Sequence, residues 1–348
     1  MAEANAILVV GPAWIGDMVL AHALLRLLKQ RHPDCAIDVL APAWSAPLLA
    51  HMPEVRARLD LSPKHGQFGF SARLEIGRAL RGRYRQAILL PNSWKSALVP
   101  FLAGIRQRTG WRGEMRYVLL NDIRALDERT HPSLIERFAA LAFPAGAPLP
   151  APLPNPRLAI REEERTAALR TFRVDPGRPV LALCPGAEFG PAKRWPAEHF
   201  AAVAAERIAA GDQVWLFGSR KDAPAARAIR NALPQARRAA CHDLAGATSL
   251  SEAIALLSCA GAVVSNDSGL MHLAAALGRP LVAIYGSSSP RFTPPLADAV
   301  AIAWLGLDCS PCFRRACRRG HLRCLRDLQP GRVLDALAHL PHAVEAGP

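Results

Sequence analysis

Short apolar segments recur along this chain, and each is followed by glycine, proline or small polar residues. Uninterrupted apolar runs that alternate with helical patterns are typical of parallel strands covered by helices on both faces. The pattern therefore predicts an α/β fold. The predicted strands are residues 6–10, 36–40, 87–90, 180–183, 213–217, 262–265 and 280–285.

A proline-rich segment divides this alternation into two halves. Residues 144–157 contain six prolines, so the segment should be stiff, extended and excluded from a sheet interior. We place a linker there, between a domain at residues 1–150 and a second at 151–348. The last helix could pack back on the N-terminal domain. Ligands bind open α/β sheets at the ends of the strands, so two such sheets could enclose a cleft.

The charge of the chain favours an anionic partner. Lys and Arg total 43 against 29 Asp and Glu, a net charge of +14, although a compositional preference for arginine would also explain the excess. No apolar stretch is long enough to predict a membrane-spanning helix. No basic region precedes the first apolar run, so no secretory signal is predicted and a cytosolic location is expected.

Three strand ends in the second half are candidate anion-binding loops. The loop after residue 184 carries Lys193, which could bind a diphosphate or simply lie at the loop edge. Asp222 could accept ribose hydroxyls or cap the following helix. Asp267 and Ser268 precede a helix whose first amides, with His272, could face an anion; a buried structural histidine is the alternative.

The first half carries a candidate base and a basic segment. Asp17 begins a helix after the first strand and could be a capping carboxylate or a general base. A run of basic residues with interleaved tryptophans could be a binding loop or a solvated face. The run consists of Lys95, Arg106, Arg108, Arg112, Arg116 and Arg124.

Four cysteines near the C-terminus form the pattern C-x2-C-x4-C-x6-C. Such a group could bind a structural zinc ion, and an iron–sulfur cluster is a less favoured option. A loop of free thiols is the remaining interpretation. The residues are Cys309, Cys312, Cys317 and Cys324.

Five long segments together resemble the bacterial lipopolysaccharide heptosyltransferases of glycosyltransferase family 9, and the resemblance covers nearly the whole chain. They are Gly-Pro-Ala-Trp-Ile-Gly-Asp-Met (11–18), Pro-Asn-Ser-Trp-Lys-Ser-Ala-Leu-Val-Pro-Phe (91–101), Arg-Thr-Gly-Trp-Arg-Gly-Glu-Met-Arg-Tyr (108–117), Pro-Gly-Ala-Glu-Phe-Gly-Pro-Ala-Lys-Arg-Trp-Pro (185–196) and Asn-Asp-Ser-Gly-Leu-Met-His (266–272).

The resemblance implies a GT-B fold, in which two Rossmann-like, doubly wound domains face each other across a cleft. The N-terminal domain would take the acceptor and the C-terminal domain would take the nucleotide sugar. Asp17 matches the catalytic base of the family. The residues assigned to the donor are Gly186, Ala187, Lys193, Asp222, Asp267, Ser268, Gly269 and His272. Those assigned to the acceptor are Lys64, Lys95, Arg108, Arg112 and Arg116.

The implied reaction transfers L-glycero-D-manno-heptose from ADP-heptose, with inversion, to the first heptose of the Kdo2-lipid A core of lipopolysaccharide. No catalytic cofactor is expected, and the enzyme would work at the cytoplasmic face of the inner membrane. Three alternatives remain: a relative with another acceptor, a basic nucleic-acid-binding protein, and an NAD-dependent oxidoreductase. The last lacks the Gly-x-Gly-x-x-Gly fingerprint.

Overall fold

The computed structural model of the chain describes residues 5–61 and 69–341. The chain divides into two compact units, Met1–Pro156 and Arg157–Pro348, and each unit contains one six-stranded sheet. The strands of the first sheet are β1 (Ala6–Val10), β2 (Ala36–Ala41), β3 (Ala57–Asp60), β4 (Gln86–Leu89), β5 (Gln107–Trp111) and β6 (Asp122–Arg124). Those of the second are β7 (Val180–Cys184), β8 (Gln213–Leu216), β9 (Cys241–Asp243), β10 (Ala262–Asn266), β11 (Leu281–Ile284) and β12 (Val300–Ala303).

Helices connect the strands in both units. In the first unit they are α1 (Ile15–Arg31), α2 (Ala46–Leu49), α3 (Phe70–Ala79), α4 (Leu98–Leu102) and α5 (Leu134–Ala139). In the second they are α6 (Glu162–Phe172), α7 (Ala197–Ala209), α8 (Ala223–Ala232), α9 (Leu250–Leu257), α10 (Gly269–Ala276), α11 (Arg323–Arg326) and α12 (Pro330–His339). Within the described ranges, none of the helices has the length and apolarity needed to cross a bilayer.

The two sheets have the same topology. The strand order is β3-β2-β1-β4-β5-β6 in the first and β12-β11-β10-β7-β8-β9 in the second, and each recorded strand pair is parallel. In each sheet the first strand of the unit lies between the second and the fourth. This is the doubly wound order, in which the chain reverses direction across the sheet between its first and fourth strands. The predicted α/β class with parallel sheets is confirmed.

The sequence pattern identifies the central strands and misses several outer ones. The strands β1, β7 and β10 are almost wholly buried, which is why their apolar runs are continuous. The strand β3 has the sequence Ala-Arg-Leu-Asp with alternating exposure, and β5 and β6 are mostly polar. An outer strand is covered less completely, so its sequence carries a weaker signal.

Gly11, at the turn after β1, lies close to a side chain of the following helix. A Cβ atom added to Gly11 would lie 2.4 Å from Met18 Cε, on the first turns of α1. The turn between β1 and α1 is therefore packed closely against α1.

The last helix, α12, packs against α7, β11 and β12 in the second unit.

One buried carboxylate connects three segments of the first unit. Asp38 in β2 is completely buried, and it accepts hydrogen bonds from Arg56 Nε (2.9 Å), Arg56 Nη2 (2.6 Å) and the Tyr84 hydroxyl (2.6 Å). Burial alone would raise the pKa of Asp38, but the hydrogen bonds from Arg56 and Tyr84 outweigh it and lower that pKa. Asp38 is therefore a charged group within the sheet, stabilised by its partners.

We expect Tyr84→Phe to lower the free energy of unfolding by about 2 kcal/mol, because the buried carboxylate loses a charge-assisted hydrogen bond. Urea denaturation measures this change. Tyr117→Phe is the matched control, because Tyr117 is 62% exposed, and its effect should stay within about 0.5 kcal/mol. Equal stability of the two variants would contradict the role given to the Tyr84 hydroxyl.

Candidate functional site

The loops that carry most of the predicted site residues lie where each sheet reverses direction. In the second sheet β7 pairs with β10, and their carboxyl ends lead into the 185–196 loop and into the Asp267–Ser268 turn. In the first sheet β1 pairs with β4, whose ends lead toward Asp17 and Lys95. The reversal point of a doubly wound sheet opens a crevice for ligands at the carboxyl ends of its strands. Both groups of loops are therefore candidates for ligand binding.

A buried asparagine joins the two loops of the second unit. The Asn266 side chain is fully buried; its Oδ1 accepts from the Trp195 backbone N–H (3.0 Å) and its Nδ2 donates to the Pro185 carbonyl (2.7 Å). Both ends of the 185–196 loop are thereby held to the end of β10. The sequence analysis gave Asn266 no role, although it stands in a strand-end motif.

Lys193 and Asp267 form the central ion pair of this unit. The Lys193 ammonium lies 2.6 Å from Asp267 Oδ2, and Asp267 is 4% exposed. The Ser288 hydroxyl, also buried, donates to the same carboxylate oxygen. The Lys193 ammonium also lies 5.0 Å from the centroid of the Phe189 ring. Asp267 thus fixes the position of the cation, and Ser288 is a supporting residue that the sequence analysis missed.

The N-terminus of α10 adds a second source of positive potential. Ser268 is the N-cap residue, with an extended backbone and no side-chain capping hydrogen bond among the described residues. The first backbone N–H groups of a helix have no helical acceptor and favour an anion. The Asp267 carboxylate, just before this N-cap, is paired with Lys193.

His272 lies in the first turn of α10 and is 4% exposed. Burial lowers its pKa to about 4; the charge of Asp267 opposes this shift and that of Lys193 adds to it. The imidazole is therefore neutral near pH 7. In that state it can donate one hydrogen bond but contributes no positive charge.

The Asp222 carboxylate accepts hydrogen bonds within its own loop. Its Oδ2 accepts from the Ser219 backbone N–H (3.0 Å) and hydroxyl (2.7 Å), and Arg194 Nη2 lies 3.5 Å from its Oδ1. A Cβ atom on Gly186 would lie 2.4 Å from the Asp222 carboxyl carbon. Asp222 stands at the N-cap position of α8, but its side chain turns back toward Ser219. Asp222 therefore lies against Gly186 of the 185–196 loop, next to the buried Ala187.

Asp17 lies in the first turn of α1 and is half-buried. Lys95 belongs to the loop after β4 and is exposed, and its carbonyl accepts a hydrogen bond from Arg73 Nη1 (3.0 Å). Two tryptophans of the same loops are also exposed, Trp14 at 49% and Trp94 at 41%. The reversal point of the first sheet thus combines a carboxylate, a cation and aromatic rings.

The predicted acceptor residues separate into two groups. Arg116 is 2% exposed and donates to the carbonyls of Pro91 (2.7 Å) and Trp111 (2.6 Å), so it organises the loop from within. Arg108 is half-buried and donates to the Leu119 carbonyl (2.7 Å). The guanidiniums of both arginines are therefore used in internal hydrogen bonds. Lys95 and Arg112 are exposed, and Lys64 lies outside the described residues.

The four C-terminal cysteines line one cavity of about 300 Å³. Backbone N–H groups of residues 319–322 lower the pKa of the Cys317 thiol. Burial and the neighbouring cysteines raise the pKa of Cys324 to about 11. Across residues 5–61 and 69–341, no three His, Cys, Asp or Glu side chains are arranged to hold a metal ion.

The neutral state of His272 makes stability depend on pH. Between its ordinary pKa of 6.5 and about 4, the unfolded chain binds a proton at this residue and the native chain does not. The free energy of unfolding should therefore decrease as the pH falls through this range, by about 1.4 kcal/mol per pH unit.

His272→Gln should reduce the slope of the unfolding free energy against pH by about 1.4 kcal/mol per pH unit between pH 6.5 and about 4. His339→Gln, at an exposed histidine, serves as the control and should keep the parent slope. A parent-like slope in His272→Gln would show that the native histidine titrates normally.

Comparison with known proteins identifies the family. The family model described as Glycosyltransferase family 9 (heptosyltransferase) matches residues 73–323. The chain is 48% identical over 337 residues to Lipopolysaccharide heptosyltransferase 2 of Escherichia coli K12, covering 95% of this chain and 97% of that protein. It is 45% identical over 342 residues to Lipooligosaccharide heptosyltransferase 2 of Haemophilus influenzae, covering 96% and 99%.

A solved structure, E. coli ADP-heptose lps heptosyltransferase II, superposes with a TM-score of 0.86 at 47% identity, covering 96% of this chain and 97% of that one. The expected GT-B fold is therefore confirmed, and so is the expectation that the chain is an enzyme. By the family model and by these relatives, the chain belongs to glycosyltransferase family 9, the heptosyltransferases.

Proposed function

We propose that this enzyme transfers L-glycero-D-manno-heptose from ADP-heptose to the first heptose of heptosyl-Kdo2-lipid A, with inversion at the anomeric carbon. The observation that carries the donor half is the Lys193 ammonium, held by Asp267 beside the N-terminus of α10. The names of the relatives supply the substrate class, because they specify heptose transfer in lipopolysaccharide or lipooligosaccharide synthesis.

In the proposed reaction the acceptor hydroxyl oxygen bonds to the anomeric carbon as the bond from that carbon to the ADP phosphate oxygen breaks. The hydroxyl proton passes to the Asp17 carboxylate, and the bonding electrons leave with ADP. Because no covalent intermediate is needed, one carboxylate is sufficient as the base. The first unit takes the acceptor in this proposal, and the second takes the donor.

The second unit supports this role through charge. The leaving diphosphate gains negative charge in the transition state, so groups that bind it more strongly at that point accelerate the reaction. Lys193 supplies a positive charge, the α10 amides supply oriented dipoles, and neutral His272 supplies a hydrogen-bond donor. These groups could perform the role that a divalent cation has in other transferases, and no catalytic cofactor is proposed. Gly269 would contact the diphosphate. Asp222 would accept hydrogen bonds from the ribose hydroxyls through Oδ1, because its Oδ2 is bonded to Ser219.

The first unit supports binding of an anionic, amphiphilic acceptor. Lys95 and Arg112 are exposed, and three apolar side chains close to Arg112 in sequence are also exposed: Met115 (90%), Tyr117 (62%) and Val118 (77%). Cations combined with exposed apolar groups suit a phosphorylated glycolipid at an anionic membrane surface. We therefore propose that the enzyme works peripherally at the cytoplasmic face of the inner membrane.

Asp17→Asn tests the proposed base. It should lower kcat by about 10²–10⁴-fold, because it removes general-base catalysis, and should leave the Kd for ADP-heptose within about twofold. Mass spectrometry of the product and calorimetric titration of the donor measure the two effects. Asp34→Asn is the matched control, because Asp34 is an exposed carboxylate beyond the other end of α1. Turnover close to the parent rate in Asp17→Asn would remove Asp17 from the mechanism.

Lys95→Gln and Arg112→Gln test the acceptor surface. Each should raise KM for the acceptor about fivefold, since one cation near an anionic surface contributes roughly 1 kcal/mol. The KM for ADP-heptose should not change, and the effect on the acceptor should diminish at high salt. Arg227→Gln, at an exposed arginine of α8 in the second unit, is the control. An acceptor KM that neither substitution alters would exclude this surface.

A further inference from the structure

The four cysteines of the C-terminal loop are not used by the transferase chemistry, yet the fold collects them. Cys309, Cys312, Cys317 and Cys324 line the same cavity of about 300 Å³. The other four cysteines of the chain lie elsewhere: Cys35, Cys184 and Cys241 are buried, and Cys259 is half-buried. A cavity of this size has ample room for one metal ion.

The environment of this cavity suits thiolate ligands. Arg314, Arg318 and Arg319 also line the cavity. A divalent ion with four thiolates carries a net charge of −2, which these guanidiniums would offset.

A second observation at the same cavity also points to a ligand. The Ser287 hydroxyl is buried, with the residue 1% exposed, and it has no hydrogen-bond partner among the described residues. Buried polar groups are rarely left unsatisfied in native proteins. The Ser287 backbone is tied to the cysteine loop, because its carbonyl accepts from the N–H groups of Cys312 (3.0 Å) and Phe313 (2.6 Å).

We infer that Cys309, Cys312, Cys317 and Cys324 form a structural tetrathiolate site for one divalent, thiophilic metal ion, either zinc or iron. Four thiolate ligands in a tetrahedron are typical of zinc and of mononuclear iron. Within the described part of the chain the four thiols do not converge on one point, so the inferred site requires them to turn into the cavity when the ion binds. Binding of the ion to four thiols releases four protons and leaves a complex of charge −2.

The site would fix the loop that carries Lys193. The Arg315 carbonyl, between Cys312 and Cys317, accepts from the Ala192 N–H (3.0 Å), and a Cβ atom on Gly190 would lie 2.5 Å from that carbonyl oxygen. Ser287 N–H donates to the Ala192 carbonyl (3.2 Å). The metal would thus hold the 309–324 segment against residues 190–193. Only this consequence for donor binding rests on the proposed function; metal content does not.

The test is elemental analysis of the full-length protein, purified from separate zinc- and iron-supplemented cultures. We expect one metal ion per chain in at least one culture. Replacement of that ion by cobalt should give the visible spectrum of a tetrahedral cobalt thiolate. Cys312→Ser and Cys317→Ser should each lose most of the metal, and Cys259→Ser should keep it. The two cultures distinguish zinc from iron, and acid-labile sulfide would reveal an iron–sulfur cluster instead and overturn the mononuclear site.

Substoichiometric metal from both cultures, or equal metal in the parent and both variants, would overturn the inference. Circular dichroism verifies that the variants fold. Should either variant fail to fold, release of the ion from the folded parent by a thiol-modifying reagent gives the same information. Retention of the ion after all four thiols have reacted would refute the site. Failure of the metal test leaves the ADP-heptose assay unaffected, so the two proposals can fail separately.

Discussion

The pairing of the first strand with the fourth in each sheet is the constraint on which the candidate chemistry depends. In the second sheet this pairing places the end of β7 beside the end of β10. Residues separated by about seventy positions can then meet, and Lys193 reaches Asp267 at 2.6 Å. Asn266 holds the neighbouring backbone in place by bonding both Trp195 and Pro185. A different strand order would leave Lys193 and Asp267 in separate loops.

The Lys193–Asp267 pair also influences the electrostatic potential of the 185–196 loop. A buried carboxylate without a partner would be costly, and Lys193 together with the Ser288 hydroxyl offsets much of that cost for Asp267. The same pairing reduces the net positive charge that a diphosphate meets, since one carboxylate already balances the lysine. The amides of α10 and the neutral His272 therefore matter more than a count of cations would indicate.

The sequence predicted the central strands, the α/β class and the loops that carry most of the candidate residues. These features depend on continuous apolar runs and on strand-end residues, which are local in sequence. The roles of Ser288 and Arg116 could not be predicted in this way. Ser288 has no local signal, because its partner is 21 positions away. Arg116 appeared to be one more cation of a basic surface, but its guanidinium donates to carbonyls 5 and 25 positions distant. Contacts that are formed only by tertiary packing produce no periodic pattern in the sequence.

The contact between Gly186 and Asp222 restricts how this loop can change over evolutionary time. Any side chain at position 186 would begin 2.4 Å from the carboxyl carbon of Asp222, which is itself held by Ser219. Relief would require the Asp222 side chain to move and to give up its hydrogen bonds with Ser219. Selection should therefore remove single substitutions of Gly186. At position 222 it should retain only side chains that do not occupy the space next to Gly186.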